Sequence, residues 1–76
     1  MTLKDYLHSI PPEDRAAFAN RCGTTEGHLR NVAYGYRSCA ESLAIAIERE
    51  SDAAIRVEQL RPDVDWAVIR GRQAAA

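Results

Sequence analysis

A chain of 76 residues is one small globule at most, and at this size folding buries only roughly 60–65% of the unfolded surface. Apolar residues at 46% and charged residues at 28% exclude a disordered tail, and with one Trp, one Phe and three Tyr there is room for one main site. A formal net charge of −1 argues mildly against a polyanionic partner, but its distribution matters more than its total.

Arg15 to Arg37 carries four arginines against one acid, a net +3, whereas Ser38 to Asp65 carries three arginines against seven acids, a net −4. A basic segment of this kind can face phosphates while the acidic half faces away. Cys22 and Cys39 sit in alanine-rich contexts without Cys-x-x-Cys or histidine spacing, so buried free thiols are expected, with no metal and no cofactor. The opening MTLKDYLHSI contains an acid and no long apolar run. Neither a leader nor a membrane span is expected there, and a cytoplasmic protein with reduced cysteines follows.

Leu3, Tyr6, Leu7 and Ile10 form one apolar stripe, predicting a first helix with Thr2 as its N-cap. Pro11-Pro12 must end it, and Pro12 suits the first turn of a second helix, running to about Cys22, with Glu13 and Asp14 favoured at its positive end. Phe18, Ala19 and Cys22 are spaced to face inward, and Gly23 stands just past the end as a C-cap. Thr24 and Thr25 are both good N-caps for a third helix, which continues to about Tyr34 and stops at Gly35. Its buried stripe is Leu29, Val32 and Ala33; Glu26, Gly27, Arg30, Asn31 and Tyr34 occupy the opposite face.

Ser38 and Glu41 match a capping box at the start of a fourth helix, CAESLAIAIERE, ending near Glu50. Its apolar side holds Ala40, Leu43, Ala44 and Ile47, but Ile45 points nearly opposite, which predicts cover on two sides, the second supplied by the C-terminal segment. Between Ala53 and Leu60 the alternation of Ile55 and Val57 would allow a short β-like segment, and one helical turn from Val57 to Arg61, before Pro62, is preferred. Trp66 and Ile69 anchor a turn or short helix, for C-terminal packing or as a dimer contact, and residues 71–76 form a loose tail after a single domain over 1–70.

A helix-turn-helix needs a small residue where its helices cross, a glycine in the turn, and two apolar residues holding the second helix. Ala19, Gly23, Leu29 and Val32 meet these demands in order. With them, the chain resembles the Cro and repressor family of phage and prophage regulators, and CGTTEGHLRNVAYGYR and LRPDVDW are similar to its prophage Cro/YdaS-type branch.

The resemblance covers about Leu3 to Arg70 and implies an all-α, lambda-repressor-like domain of four to five helices, with the helix-turn-helix at helices 2 and 3. It implies a double-stranded DNA operator as partner, read in the major groove by Thr25, Glu26, Gly27, Arg30 and Asn31. Phosphate contacts would come from Arg15, His28, Tyr34, Tyr36 and Arg37, and a homodimer would form at least on DNA. For Gly27 the alternative is a relaxed first turn, for Arg30 and Asn31 a solvated helix face, and for Tyr34 and Tyr36 partial packing against the core. The competing function is an antitoxin-like module whose acidic half binds a partner protein. An enzyme is not expected: His8 and His28 stand apart, without a metal-spaced cluster or a glycine-rich phosphate loop.

Overall fold

The computed structural model describes residues 1–68, and the first three helices in it start or stop at signals with a local physical cause. Helix α1 spans Leu3–Ser9, and the Thr2 hydroxyl accepts from the Asp5 amide at 3.1 Å, satisfying one of the first-turn donors that have no partner inside the helix. Leu3 and Leu7 are buried, while Tyr6 and Ile10 pack half-buried along the edge of the core. After the two prolines, α2 spans Pro12–Arg21. It lacks a side-chain cap, and Glu13 and Asp14 in its first turn offset the helix dipole instead.

The exit of α2 is a Schellman motif. Gly23 adopts φ +79°, its amide donates to the Asn20 carbonyl at 3.0 Å, and the Thr24 amide reaches back to Ala19 at 3.0 Å. Helix α3, Glu26–Ala33, begins two residues later, its N-cap Thr25 accepting from the His28 amide at 3.1 Å. It ends in the same manner at Gly35, φ +84°.

Helix α4 spans Glu41–Glu50, and here the Ser38 capping box is wrong. The N-cap is Ala40, in extended conformation and without a side-chain cap bond. Cys39 is buried, and its carbonyl, which a helix starting at Ser38 would need for its own first turn, is held by Arg61 Nη1 at 2.9 Å. The first helical hydrogen bond runs instead from the Ala44 amide to the Ala40 carbonyl, at 2.9 Å. Ile45 corrects a second expectation: it remains 38% exposed, and the buried face of α4 consists of Leu43, Ala44, Ala46 and Ile47, with Ala40 outside it. The C-terminal segment does cover α4, but on that face, through Ile55 and Val57.

Between α4 and α5, Ser51 is buried with both hydroxyl roles used, donating to the Glu48 carbonyl and accepting from the Ile55 amide. Asp52 and Ala53 take φ of 55° and 65° without a glycine to ease the turn. Helix α5 spans Val57–Leu60, so the helical alternative holds. The Gln59 side chain accepts from its N-cap amide, Arg56, at 2.9 Å. Another helical turn opens at Trp66, and no strand occurs among the described residues; the architecture is all-α. The expectations for Ile69, for a domain limit at residue 70 and for the 71–76 tail lie outside the described residues.

Phe18, Leu29, Ile47 and Ile55 are the large fully buried side chains, so α2, α3, α4 and the α4–α5 connection meet in one core. The Tyr6 ring covers Phe18 at 5.0 Å between centroids, a tilted aromatic pair. Arg61 straps the C-terminal segment onto this core. It forks onto Asp63 at 2.9 and 2.8 Å, pairs with Glu41 at 3.2 Å, and offers its carbonyl to the Trp66 indole N–H at 2.7 Å. Hydrogen bonding from this guanidinium holds the Asp63 carboxyl down at about 2. Both cysteines are free and buried. Burial, aided by the nearby Glu50 charge, pushes the Cys22 thiol up to about 11, and burial raises Cys39 as well, so both stay protonated and unreactive near neutral pH. No described helix is long and apolar enough to cross a membrane.

Candidate nucleic-acid interface

The turn at Gly23 fixes how α3 lies across α2. Ala19 is completely buried, which lets the helices approach closely, and Leu29 is completely buried behind it with Val32 half-buried alongside. With that side of α3 committed to the core, the exposed side carries Gly27, His28, Arg30 and Asn31, and Glu26 is half-exposed beside them. Thr25, at the foot of the same face, uses its oxygen as the helix cap, which leaves the hydroxyl proton available to an external acceptor.

Arg30 and Glu26 pair across one helical turn at 3.4 Å, with 60% and 35% of their side chains exposed. An exposed pair of this spacing is worth only about 0.3–0.5 kcal/mol, so it orients both groups without locking them. Gly27 has no protein neighbour within 4 Å of where a Cβ would sit. Nothing inside the fold requires glycine there, although glycine within a helix costs roughly 1 kcal/mol relative to alanine. Gly27→Ala is therefore expected to raise the melting temperature slightly while weakening DNA binding. Unchanged DNA affinity in this variant would show that the missing side chain serves only the first turn of α3.

The remaining expected contacts fall into two groups. Arg15, Glu26, Arg30 and Tyr34 line a small cleft of about 120 Å³ beside α1. Arg15 is half-buried there, its Nε donating to the Leu7 carbonyl at 2.5 Å, so the side chain also ties α2 to α1. Tyr34 is 42% exposed and leans on α1 rather than on the core, its hydroxyl 3.0 Å from His8 Nε2. Arg37 lines a separate, larger groove, of about 560 Å³, next to Arg61. Tyr36, 77% exposed, precedes it, and both amides donate to the Asn31 carbonyl, at 2.8 and 3.3 Å. The end of α3 thus sets where these two side chains start. Trp66 belongs to neither group: at 4% exposure it is buried within its own chain, and its proposed companion Ile69 lies outside the described residues.

Sequence reasoning overlooked Lys4 and His8. They stand one turn apart on the exposed side of α1 and line the same cleft as Arg15, Arg30 and Tyr34. Lys4 Nζ lies 5.0 Å from the Tyr34 ring centroid, a cation–π contact. The i,i+4 spacing was there to be seen, but nothing in the letters says that this edge of α1 meets α3.

Charge is partitioned accordingly. Arg49 pairs with Glu50, which also takes Arg21 of the basic segment, Arg56 pairs with Glu48 and Glu58, and Arg61 with Glu41 and Asp63. The arginines of the acidic half are spent on acids of this chain, whereas around α1 and α3 the one carboxylate lining the cleft is Glu26. A helix with an exposed polar face, flanked by cations and mounted on a fixed turn, can enter a groove in a polyanion.

No family model matches the sequence. A prophage transcriptional regulatory protein of Escherichia coli (strain K12) is 36% identical over 62 residues, which span 82% of this chain and 94% of that protein.

Proposed function

The chain belongs to the family of that prophage transcriptional regulatory protein, and from this premise we propose that it is a sequence-specific DNA-binding repressor of the Cro type, in the Cro/YdaS-like branch. The observation that carries the reading is the α3 face: Gly27, Arg30 and Asn31 exposed on a helix whose other side is locked to α2 by Ala19, Gly23 and Leu29. The major groove is about 12 Å wide and admits a helix. In it Arg30 pairs bidentately with guanine, Asn31 with adenine, Glu26 accepts from the cytosine amino group, and Thr25 bonds to either kind of base. Gly27 allows the backbone close to the base edges. Arg15, His28, Tyr34, Tyr36 and Arg37 meet phosphates, fixing register without reading sequence.

Two copies occupy a two-fold operator with half-site centres about 34–36 Å apart, because one subunit of this size makes too few phosphate contacts to bind tightly at physiological salt. Occupancy of a promoter then blocks polymerase; that step rests on family resemblance. The competing reading is a module whose acidic half neutralises a partner protein; four of its acids, Glu41, Glu48, Glu50 and Asp63, pair with arginines of the same chain.

Selection of bound sites from random DNA, followed by a salt titration, tests the proposal. Enriched sites with two half-sites one helical turn apart are expected, and the two arginines of each subunit in a pair, Arg15 and Arg37, give a log–log salt slope of at least about −3.6. Failure to enrich any sequence would refute sequence-specific recognition.

A further inference from the structure

Resting on that reading, we propose that α1 supplies a phosphate grip of its own, in which Lys4 and His8, with the Tyr34 hydroxyl and Arg15, hold one backbone phosphodiester at the cleft between α1 and α3. Lys4, His8, Arg15 and Arg30 converge there with Glu26 as the one lining carboxylate, and Arg30 already holds Glu26. Among the described residues, no ion pair engages Lys4 or His8. Lys4, Arg15 and Arg30 outnumber the one carboxylate, and an anion seated among them relieves their mutual repulsion. The donors are positioned for this. His8 Nε2 holds the Tyr34 hydroxyl at 3.0 Å, and Lys4 stands over the same ring at 5.0 Å rather than extending into solvent.

A cleft of about 120 Å³ accommodates one phosphate. Its position favours DNA backbone over a free anion: Arg30, one of its walls, stands on the α3 face that enters the groove, so the strand bordering that groove passes the mouth of the cleft.

The test compares the full chain with Lys4→Gln and His8→Ala on the selected operator and on random DNA, with thermal melts confirming that these exposed substitutions leave the fold intact. Lys4→Gln is expected to make the salt slope shallower by about 0.9 per bound subunit, so that its disadvantage against the unaltered chain shrinks about 3.5-fold per subunit between 50 and 200 mM salt. His8→Ala, which releases Tyr34, weakens operator and random DNA alike, by about 2- to 13-fold. In both variants the operator-to-random ratio stays constant, and with Lys4→Gln one phosphate per half-site ceases to interfere when ethylated. An unchanged slope and ethylation pattern in Lys4→Gln, with operator preference intact, would overturn the grip and leave the regulator reading standing. Competition by inorganic phosphate beyond its ionic-strength effect would assign the cleft to a small anion and likewise overturn it. If the unaltered chain showed no DNA preference, the regulator reading itself would fail, and the grip with it.

Discussion

Arg30→Ala abolishes the preference of the protein for its operator over random DNA while barely moving its melting temperature. The guanidinium side chain is 60% exposed and, among the described residues, held by Glu26 alone, through a pair worth about 0.3–0.5 kcal/mol. A bidentate contact to guanine is worth about 1–3 kcal/mol, so on the operator Arg30 exchanges Glu26 for the base. Removing it forfeits about 5- to 160-fold in discrimination per half-site, and two half-sites multiply the loss. Stability changes little, because the lost pair is exposed and Arg30 contributes nothing to the buried core. Arg37→Ala is the contrast: it weakens operator and random DNA equally and takes about 0.9 off the salt slope per subunit. Dissociation constants for both DNAs at one salt concentration check this pair. An undiminished operator-to-random ratio in Arg30→Ala would remove Arg30 from the reading set.

Phe18→Ala destroys binding by a different route. Phe18 is 1% exposed, under the Tyr6 ring at 5.0 Å and with the Arg21 guanidinium 5.8 Å from its own centroid, where α2 meets the rest of the core. Truncating a buried phenylalanine costs about 3–5 kcal/mol in transfer and cavity terms. A domain of 76 residues has only about 4–11 kcal/mol in total, so about a quarter or more of its stability disappears. At about 4–8 °C per kcal/mol for a domain of this size, the melting temperature drops by at least about 12 °C, and operator and random binding fall together as the fold is lost. Circular dichroism melts provide the check. A melt within a few degrees of the unaltered chain would mean that Phe18 is not central to the core.

Much of the fold was readable because helix punctuation here is local chemistry. Thr2 and Thr25 cap the helices they precede, Pro11-Pro12 separates α1 from α2, and Gly23 and Gly35 end α2 and α3 with the positive φ that glycine adopts freely. What the letters missed was set by partners distant in sequence. Ser38 and Glu41 have the right spacing for a capping box, but Cys39 is buried with its carbonyl bonded by Arg61, 22 residues further on, and the helix starts at Glu41. Ile45 signalled a second covered side of α4, yet it stays 38% exposed and the buried residues lie on the opposite face. Asp52 and Ala53 turn with positive φ where no glycine marks the place. The same limit governs the interface. Gly27, Arg30 and Asn31 could be placed on one face from helical periodicity, because that needs only the 3.6-residue repeat. Lys4 and His8 join Tyr34 across 26 to 30 positions of chain, through packing of α1 on α3 that periodicity does not encode.

The most direct test of α3 as the reading element is guanine methylation interference on the selected operator. N7 lies in the major groove, and methylating it blocks a bidentate arginine. Interference is expected at one or more guanines in each half-site for the unaltered chain, and loss of that interference at the same guanines for Arg30→Ala. Interference that persists unchanged in Arg30→Ala and Asn31→Ala, or none at any guanine in the half-sites, would contradict the placement of this face in the major groove.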